Sequence, residues 1–398
     1  MSEITLRKET IVRDVVIASS HLWKGRRKVN LHFFAEHFLE KGFSVRFLTV
    51  LFSLLSLINP WLSSSKLRKL RVWLKRGEKQ CFNQSTLTNY VVLSIFHPSR
   101  TIPLLNSYYV AKEYLKFSYL PMSRWLKEIY GKPVDILMFG ASGISICSQV
   151  TARLVIYRLN DLISGFGGVS EGLIKYENEI LKKADLVLPV SESLYDYAAR
   201  KRGTREGVYL LPNGVDVHKF ARSYQIPLEY KRIPDRIAIY VGTITSWFDW
   251  DLLIYSAEHK KDLSFVIIGP GYIPTNLPKN VYTFGPKPYE EIPAYMQYAD
   301  VGLIPFKDLS RMDTVERPLK FYQYLASGLP VVSVSCGALK KMAPYAILAG
   351  DPKEFVQGLG QALEFDKSDR DNLRESARRF SWKKIFEQFD KILASYER

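Results

Sequence analysis

An α/β protein of two doubly wound parallel-sheet domains facing a cleft is predicted by three features of this 398-residue sequence. Short apolar runs alternate with helical patterns along the chain, the mark of a parallel sheet covered on both faces. The alternation comes in two series, separated by a polar stretch that ends at Arg236. The length suits two domains of roughly 200 residues better than one core. A hydrophobic content of 47% supplies enough apolar side chains to fill both.

The first series opens on Val15-Val16-Ile17-Ala18, a buried strand that runs into the loop Ser19-Ser20-His21. A helix is predicted over 30–40, with Leu31, Phe34 and Phe38 on one face and Gly42 just past its end. Strands follow over 44–50, 135–139, 154–158 and 186–189. Leu211-Pro-Asn-Gly-Val-Asp216 breaks the pattern. The second series places strands over 237–241, 265–268, 281–285, 301–305 and 331–334. The predicted domains are therefore 1–215 and 237–380, joined by a linker over 216–236. An aromatic helix within 381–398 is expected to pack back across the boundary. In such sheets ligands sit beyond the carboxyl ends of the strands. The loops after Ala18, Arg158, Val241 and Pro305, with a helix starting at Pro318, should meet at the cleft.

That last helix is the most telling local signal. Pro318 fits its first turn, where a missing N–H costs nothing, and Gly328 with Pro330 ends it. Its free N–H groups and positive dipole end suit an anion, and Lys320 adds a full charge there. Gln323, three residues on, shares the face of Lys320. A diphosphate bearing a sugar or ribose fits this set, while an ordinary amphipathic helix with a solvated lysine fits it equally.

The formal charge of +16 is unevenly spread. Residues 1–130 hold 21 Lys or Arg against 8 Asp or Glu, a net +13, whereas the rest nets +3. A polyanionic partner of the first third is implied. Six cations and no acid fall in the eleven residues from Lys66 to Arg76, with Leu67, Leu70 and Leu74 on one helical face and Trp73 at its edge. An apolar wedge of Phe52, Leu54, Leu55, Ile58 and Trp61 precedes it. Together residues 51–76 read as an interfacial contact with an anionic membrane surface. The uncharged window 47–65 is broken by Asn59-Pro60 and is too short to span a bilayer. No nucleic-acid motif accompanies the basic charge, so nucleic acid is not expected as a partner. Three scattered cysteines, with no CxxC or zinc spacing, point to a reducing cytoplasm and to no structural metal.

Several chemical motifs are absent. The loop after the first strand lacks GxGxxG, which argues against NAD. Gly269-Pro270-Gly271 reads as a turn, and Asp249-Trp250-Asp251, although of DxD form, reads as a helix cap. By contrast, His21, Arg26 and Arg27, beside Lys24 and Lys28, crowd the first strand–loop–helix junction and suit a phosphate or carboxylate. Asp161, just past the strand ending at Arg158, is placed to take a proton from a hydroxyl nucleophile, though a bare Asp there is more often a cap.

Taken together, Leu211-Pro-Asn-Gly-Val-Asp216, Tyr240-Val-Gly242, Leu303-Ile-Pro-Phe306 and the run from Pro318 to Pro330 resemble the nucleotide-sugar half of GT-B glycosyltransferases. Ser19-Ser20-His21, Arg26-Arg27, Asn30-Leu31-His32-Phe33 and Tyr157-Arg158-Leu159-Asn160-Asp161 resemble the membrane-associated glucuronosyltransferases of xanthan type. The resemblance implies a GT-B fold and makes Asp161 the base of an inverting transfer. It implies a donor site of Gly242, Thr243, Ile244, Phe306, Leu319, Lys320 and Gln323, with Phe306 against the uracil, and an acceptor side of His21, Arg26, Arg27 and Asn30. Retaining GT-B enzymes carry a glutamate where Gln323 stands and another eight residues earlier. That position is Val315 here, with Glu316 out of phase. The expected activity is metal-independent transfer of glucuronate from a UDP-sugar to a lipid-linked or polymeric glycan acceptor. It would serve a bacterial exopolysaccharide or a teichuronic-acid-like wall polymer at the cytoplasmic face of the membrane. A retaining hexosyltransferase, a sugar-nucleotide epimerase and a non-catalytic carbohydrate-binding protein are the alternatives.

Overall fold

The computed structural model describes residues 13–25, 28–57, 64–82, 85–119, 132–165, 168–234, 236–307, 318–335, 340 and 345–396. The chain divides into two compact units, Met1–Leu188 with Tyr197–Val208, and Pro189–Asp196 with Tyr209–Arg398.

The first unit holds β1 (Asp14–Ser19), β2 (Ser44–Ser53), β3 (Glu78–Phe82), β4 (Ser85–Ser94), β5 (Val134–Phe139), β6 (Ala152–Leu159) and β7 (Leu186–Pro189). They lie side by side in the order β3-β4-β2-β1-β5-β6-β7. β1 pairs in parallel with β2 and β5, and β2 likewise with β4. Val15 to Ala18 are wholly buried, as an unbroken apolar run at the centre of such a sheet requires. β3 closes one edge antiparallel to β4. The β3–β4 hairpin was not expected from the sequence. Its signal is masked because β4 buries polar side chains: Asn89 is inside the sheet, with its Oδ1 3.2 Å from Thr49 Oγ1. The expected helix is Asn30–Glu40, with Gly42 beyond it at φ 83°.

The membrane wedge needs correction. β2 runs on to Ser53, so Phe52 is core, packed with Leu22, Val72, Val91 and Leu93. Leu54 and Leu57 lie against the same cluster, while Ile58 and Trp61 fall outside the described residues. The helix Ser64–Leu74 turns Val72 inward and rests Leu70 and Trp73 on this cluster. Two of its lysines also reach inward: Lys66 Nζ donates to the Ser56 carbonyl at 2.6 Å and Lys69 Nζ to the Ser20 carbonyl at 2.9 Å. Its outer face presents Leu67, Arg68, Arg71, Leu74 and Lys75 to solvent, with Leu74 65% exposed. Among the described residues, no helix is long and apolar enough to cross a membrane.

The second unit holds β8 (Arg236–Val241), β9 (Leu263–Ile268), β10 (Val281–Gly285), β11 (Val301–Ile304), β12 (Val331–Val334) and β13 (Ala346–Ala349), in the order β10-β9-β8-β11-β12-β13. β13 was not expected from the sequence. The stretch 216–236 is not a free linker. It carries a helix, Val217–Ala221, and a 3-10 helix, Leu228–Arg232, whose Phe220 and Tyr230 are buried. The Tyr230 hydroxyl donates to the Tyr295 carbonyl at 3.0 Å. The last helix, Trp382–Tyr396, sets Trp382 against Gly214 and the ring of Tyr396 edge-on to Tyr209. Both partners belong to this same unit, which takes in Pro189–Asp196 and Tyr209–Arg398.

Candidate active site

In each sheet the strand order reverses at one point, and the crevice where loops part lies there. For the first sheet that point is between β1 and β5. The loop after β1 is held from several sides. The His21 N–H donates to Ser19 Oγ at 3.2 Å, and Lys69 grips the Ser20 carbonyl. His32, to which sequence reasoning gave no role, fastens the next stretch. Its Nε2–H donates to the Leu22 carbonyl at 2.9 Å, its Nδ1 lies 3.3 Å from the Val29 N–H, and Trp23 stacks on its ring at 5.6 Å. Burial pushes its pKa down to about 4, so the ring is neutral and has one donor and one acceptor, as these contacts need. Lys28 is drawn to Glu36 at 2.6 Å. Arg26 and Arg27 lie outside the described residues.

Asp161 follows β6, in the neighbouring crevice loop. Burial pushes its carboxyl up to about 6, and among the described residues no cation forms an ion pair with it. Arg158 does not serve it. That guanidinium is fully buried over the Phe34 ring at 5.5 Å and donates to the Leu188 carbonyl at 3.1 Å. Asn30, expected on the acceptor side, is buried as well. Its Oδ1 accepts the Leu31 N–H at 2.7 Å, and its Nδ2–H donates to Asn160 Oδ1, beside Asp161.

For the second sheet the reversal lies between β8 and β11, which pair only through Val301 with Ala238 and Gly302 with Ile239. Beyond that the strands part and leave backbone groups unmatched. Tyr324 fills the gap: its hydroxyl accepts the Val241 N–H and donates to the Ile239 carbonyl, both at 3.1 Å. The tyrosine comes from the helix Leu319–Ala326, which is capped by Pro318 just outside its first turn and closed by Gly328 at φ 70°. That helix therefore cannot shift without breaking the end of β8.

Its Lys320 stands over the Tyr240 ring, with Nζ 3.9 Å from the centroid, and 4.8 Å from that of Phe306. The residue keeps some solvent exposure, yet crowding around the ammonium pushes its pKa down to about 7. Among the described residues no carboxylate pairs with it. Phe306 is itself only 5% exposed. It forms one wall around the lysine. Gly242 leaves room for this lysine, since a Cβ there would sit 2.7 Å from Nζ. The Tyr240 hydroxyl donates to the Thr243 carbonyl at 2.8 Å, which pins the loop Gly242–Ile244. Gly269 and Gly271 do more than turn the chain. A Cβ on either would stand within 2 Å of the Gly242 or Ile244 carbonyl oxygen, at 1.6 and 1.9 Å. The free N–H groups of a helix start, a caged cation and a backbone loop meet at one switch point, and that suits a phosphate-bearing ligand.

Residues 17–190 match the family model described as glucuronosyltransferase GumK, N-terminal domain, and residues 235–364 match that of glycosyl transferases group 1. The structure is similar to that of HepE from Anabaena in complex with UDP-glucose, with TM-score 0.63 at 13% identity over 96% of this chain and 99% of that one. It is also similar to sucrose-phosphate synthase from Thermosynechococcus elongatus, with TM-score 0.64, 14% identity and the same two coverages. The chain has the GT-B fold, and its two halves match two different glycosyltransferase family models. A Bacillus subtilis (strain 168) protein provisionally named teichuronic acid biosynthesis glycosyltransferase TuaH is 29% identical to this chain over 266 residues. That match covers 62% of this chain and 65% of TuaH, just under two thirds of the relative's length.

Asp249 of the DxD pair is a cap, as expected: its Oδ1 accepts the Leu252 N–H at 3.1 Å. Asp251 is exposed beside Lys307 at 3.8 Å. Leu319 and Gln323 are half-buried on the helix that carries Lys320. Two supports of the donor loop, Tyr240 and Tyr324, sat inside motifs quoted for the resemblance, but only a structure shows which way a hydroxyl turns.

Proposed function

We propose that this glycosyltransferase moves glucuronate from a UDP donor to a lipid-linked or polymeric glycan, with inversion and without a metal. The product would be a teichuronic-acid-like wall polymer or an exopolysaccharide. The observation that carries the donor half is the Lys320 cage beside the Gly242–Ile244 loop, a cation that forms no ion pair among the described residues. The GumK match supports glucuronate, the TuaH match supports a wall polymer, and HepE holds UDP-glucose on a similar fold. Asp161 is the base, His21 with Arg26 and Arg27 face the acceptor, and Lys320 with Gln323 and the Gly242–Ile244 backbone hold the donor. Inversion is favoured by Val315, which stands where retaining enzymes carry a glutamate. Val315 and Glu316 lie outside the described residues.

Offering the purified protein a panel of UDP-sugars and measuring UDP release tests this reading. UDP-glucuronate should turn over fastest, with a product inverted at the anomeric carbon. No UDP release from any donor would leave a binding protein, and release of an epimerised sugar nucleotide without acceptor would leave an epimerase. Activity should survive EDTA, since the helix start and Lys320 replace a metal at the leaving diphosphate.

The same proposal places the enzyme at the cytoplasmic face of the membrane, through the outer face of the helix Ser64–Leu74. Lys66 and Lys69 are engaged inside the unit, so the cations available to lipid are Arg68, Arg71 and Lys75, flanking Leu67 and Leu74. Replacing these three cations by Ser should weaken binding to anionic vesicles, by roughly 1 kcal/mol per charge at low salt, and leave the fold intact. Wild-type binding should fall as salt rises. Equal sedimentation with neutral and anionic vesicles would rule out this surface.

A further inference from the structure

We propose that Asn30 is a positioning residue for the base and not a ligand of the acceptor. The inference rests on the assignment of Asp161 and concerns what holds that carboxylate in place. Asp161 sits in a loop, and among the described residues it forms no ion pair. Its aim is therefore set by the backbone on which it stands. The residue before it, Asn160, is tied across the sheet edge: the buried Asn30 donates its Nδ2–H to Asn160 Oδ1. Asn30 is itself locked, because its Oδ1 accepts the Leu31 N–H at the start of the helix Asn30–Glu40. Gly140, just past β5, lies beside this tie: a Cβ there would make ordinary contact with Asn160 Nδ2 at 3.7 Å and Leu31 Cδ1 at 3.8 Å.

The tie thus joins the loop after β6 to the helix after β1, across the end of β5. That is the crevice where the strand order reverses. Asn30 thus gives an Nδ2–H to Asn160 and its Oδ1 to the Leu31 N–H, so its orientation is set by the protein on both sides of the amide. A base must stand within hydrogen-bond reach of the proton it removes. An error of about 1 Å in such a group costs about 100-fold in rate.

Asn30→Ala should lower kcat about 10- to 100-fold with the KM values for donor and acceptor little changed. Asn160→Ala should do the same, and the two together should cost no more than either alone. In an Asp161→Asn background, Asn30→Ala should have no further effect, since a residue that acts through the base has nothing left to position. Asn30→Asp keeps the tie if the Asn160 amide turns over, but it adds a like charge next to the base. It should therefore recover much of the rate while moving the acid limb of the pH–rate profile upward. A raised acceptor KM in Asn30→Ala, or losses from Asn30→Ala and Asp161→Asn that multiply, would overturn the proposal. Full activity of Asp161→Asn would instead overturn the assignment of the base. If Asn30→Ala fails to fold, the Asn160→Ala and Asn30→Asp arms decide the matter.

Discussion

Asp161→Asn is expected to lower turnover by about 10²–10⁴-fold with UDP affinity unchanged, the scale on which general bases act. In an inverting transfer the acceptor hydroxyl attacks the anomeric carbon from the face opposite the leaving UDP. Its proton must go to a group outside the diphosphate site. Asp161 belongs to the first unit, while Lys320 and the Gly242–Ile244 loop belong to the second. Asn keeps the shape and most of the hydrogen bonding of Asp but cannot take up a proton. The competing role, a helix cap, loses ground in the structure. Only a short 3-10 turn, Ile163–Gly165, follows Asp161, and among the described residues no backbone N–H donates to its side chain. Burial that holds its pKa near 6 also sets a pH limit. A base works only when ionised, so kcat/KM for the acceptor, which reports the free enzyme, should fall as pH drops through about 6 and level off above it. Near-normal turnover of Asp161→Asn, with the acid limb intact, would exclude this role.

The strands that frame both switch points were legible because each is an unbroken apolar run with a loop at its carboxyl end. Val15–Ala18 is wholly buried, and nothing in its sequence competes with that reading. Strands β3, β4 and β13 were not legible; β4 buries serine and asparagine, which hides its pattern. Phe52 shows the limit in the other direction. An apolar residue next to a cationic helix fits a core and a lipid surface alike, and only the extra residues of β2, which runs on to Ser53, place it inside.

The site divides in the same way. Residue type and spacing named Lys320, Gly242 and Asp161 as candidates, although a solvated lysine and a helix cap fitted the first and the last as well. They could not show which way Asn30 and Phe306 turn. Asn30 turns to Asn160, and Phe306 turns to Lys320. The glycines at 269 and 271 were visible as a turn, but their fit against the carbonyls of Gly242 and Ile244 is a matter of two loops far apart in sequence.

Lys320→Ala should weaken UDP binding about 10- to 100-fold, the loss of a charge-assisted contact worth roughly 1.5–3 kcal/mol. The pH dependence separates this from a merely structural effect. Enclosure between Tyr240, Phe306 and Gly242 pushes the lysine down to about 7, because a charge cut off from water is disfavoured. The ring faces favour the cation and offset part of that penalty. A diphosphate binds the ammonium form, so donor affinity should be full below about pH 7 and decline above it, with uptake of a proton on binding. Once the diphosphate is in place its charge holds the lysine protonated. The alkaline limb should therefore appear in kcat/KM for the donor, which reports the free enzyme, and be absent from kcat. Calorimetry in two buffers of different ionisation enthalpy would count the proton, and Lys320→Ala should abolish both the proton and the limb. An unchanged UDP affinity in Lys320→Ala would place the diphosphate elsewhere. An alkaline limb that persists in the variant would assign it to another group.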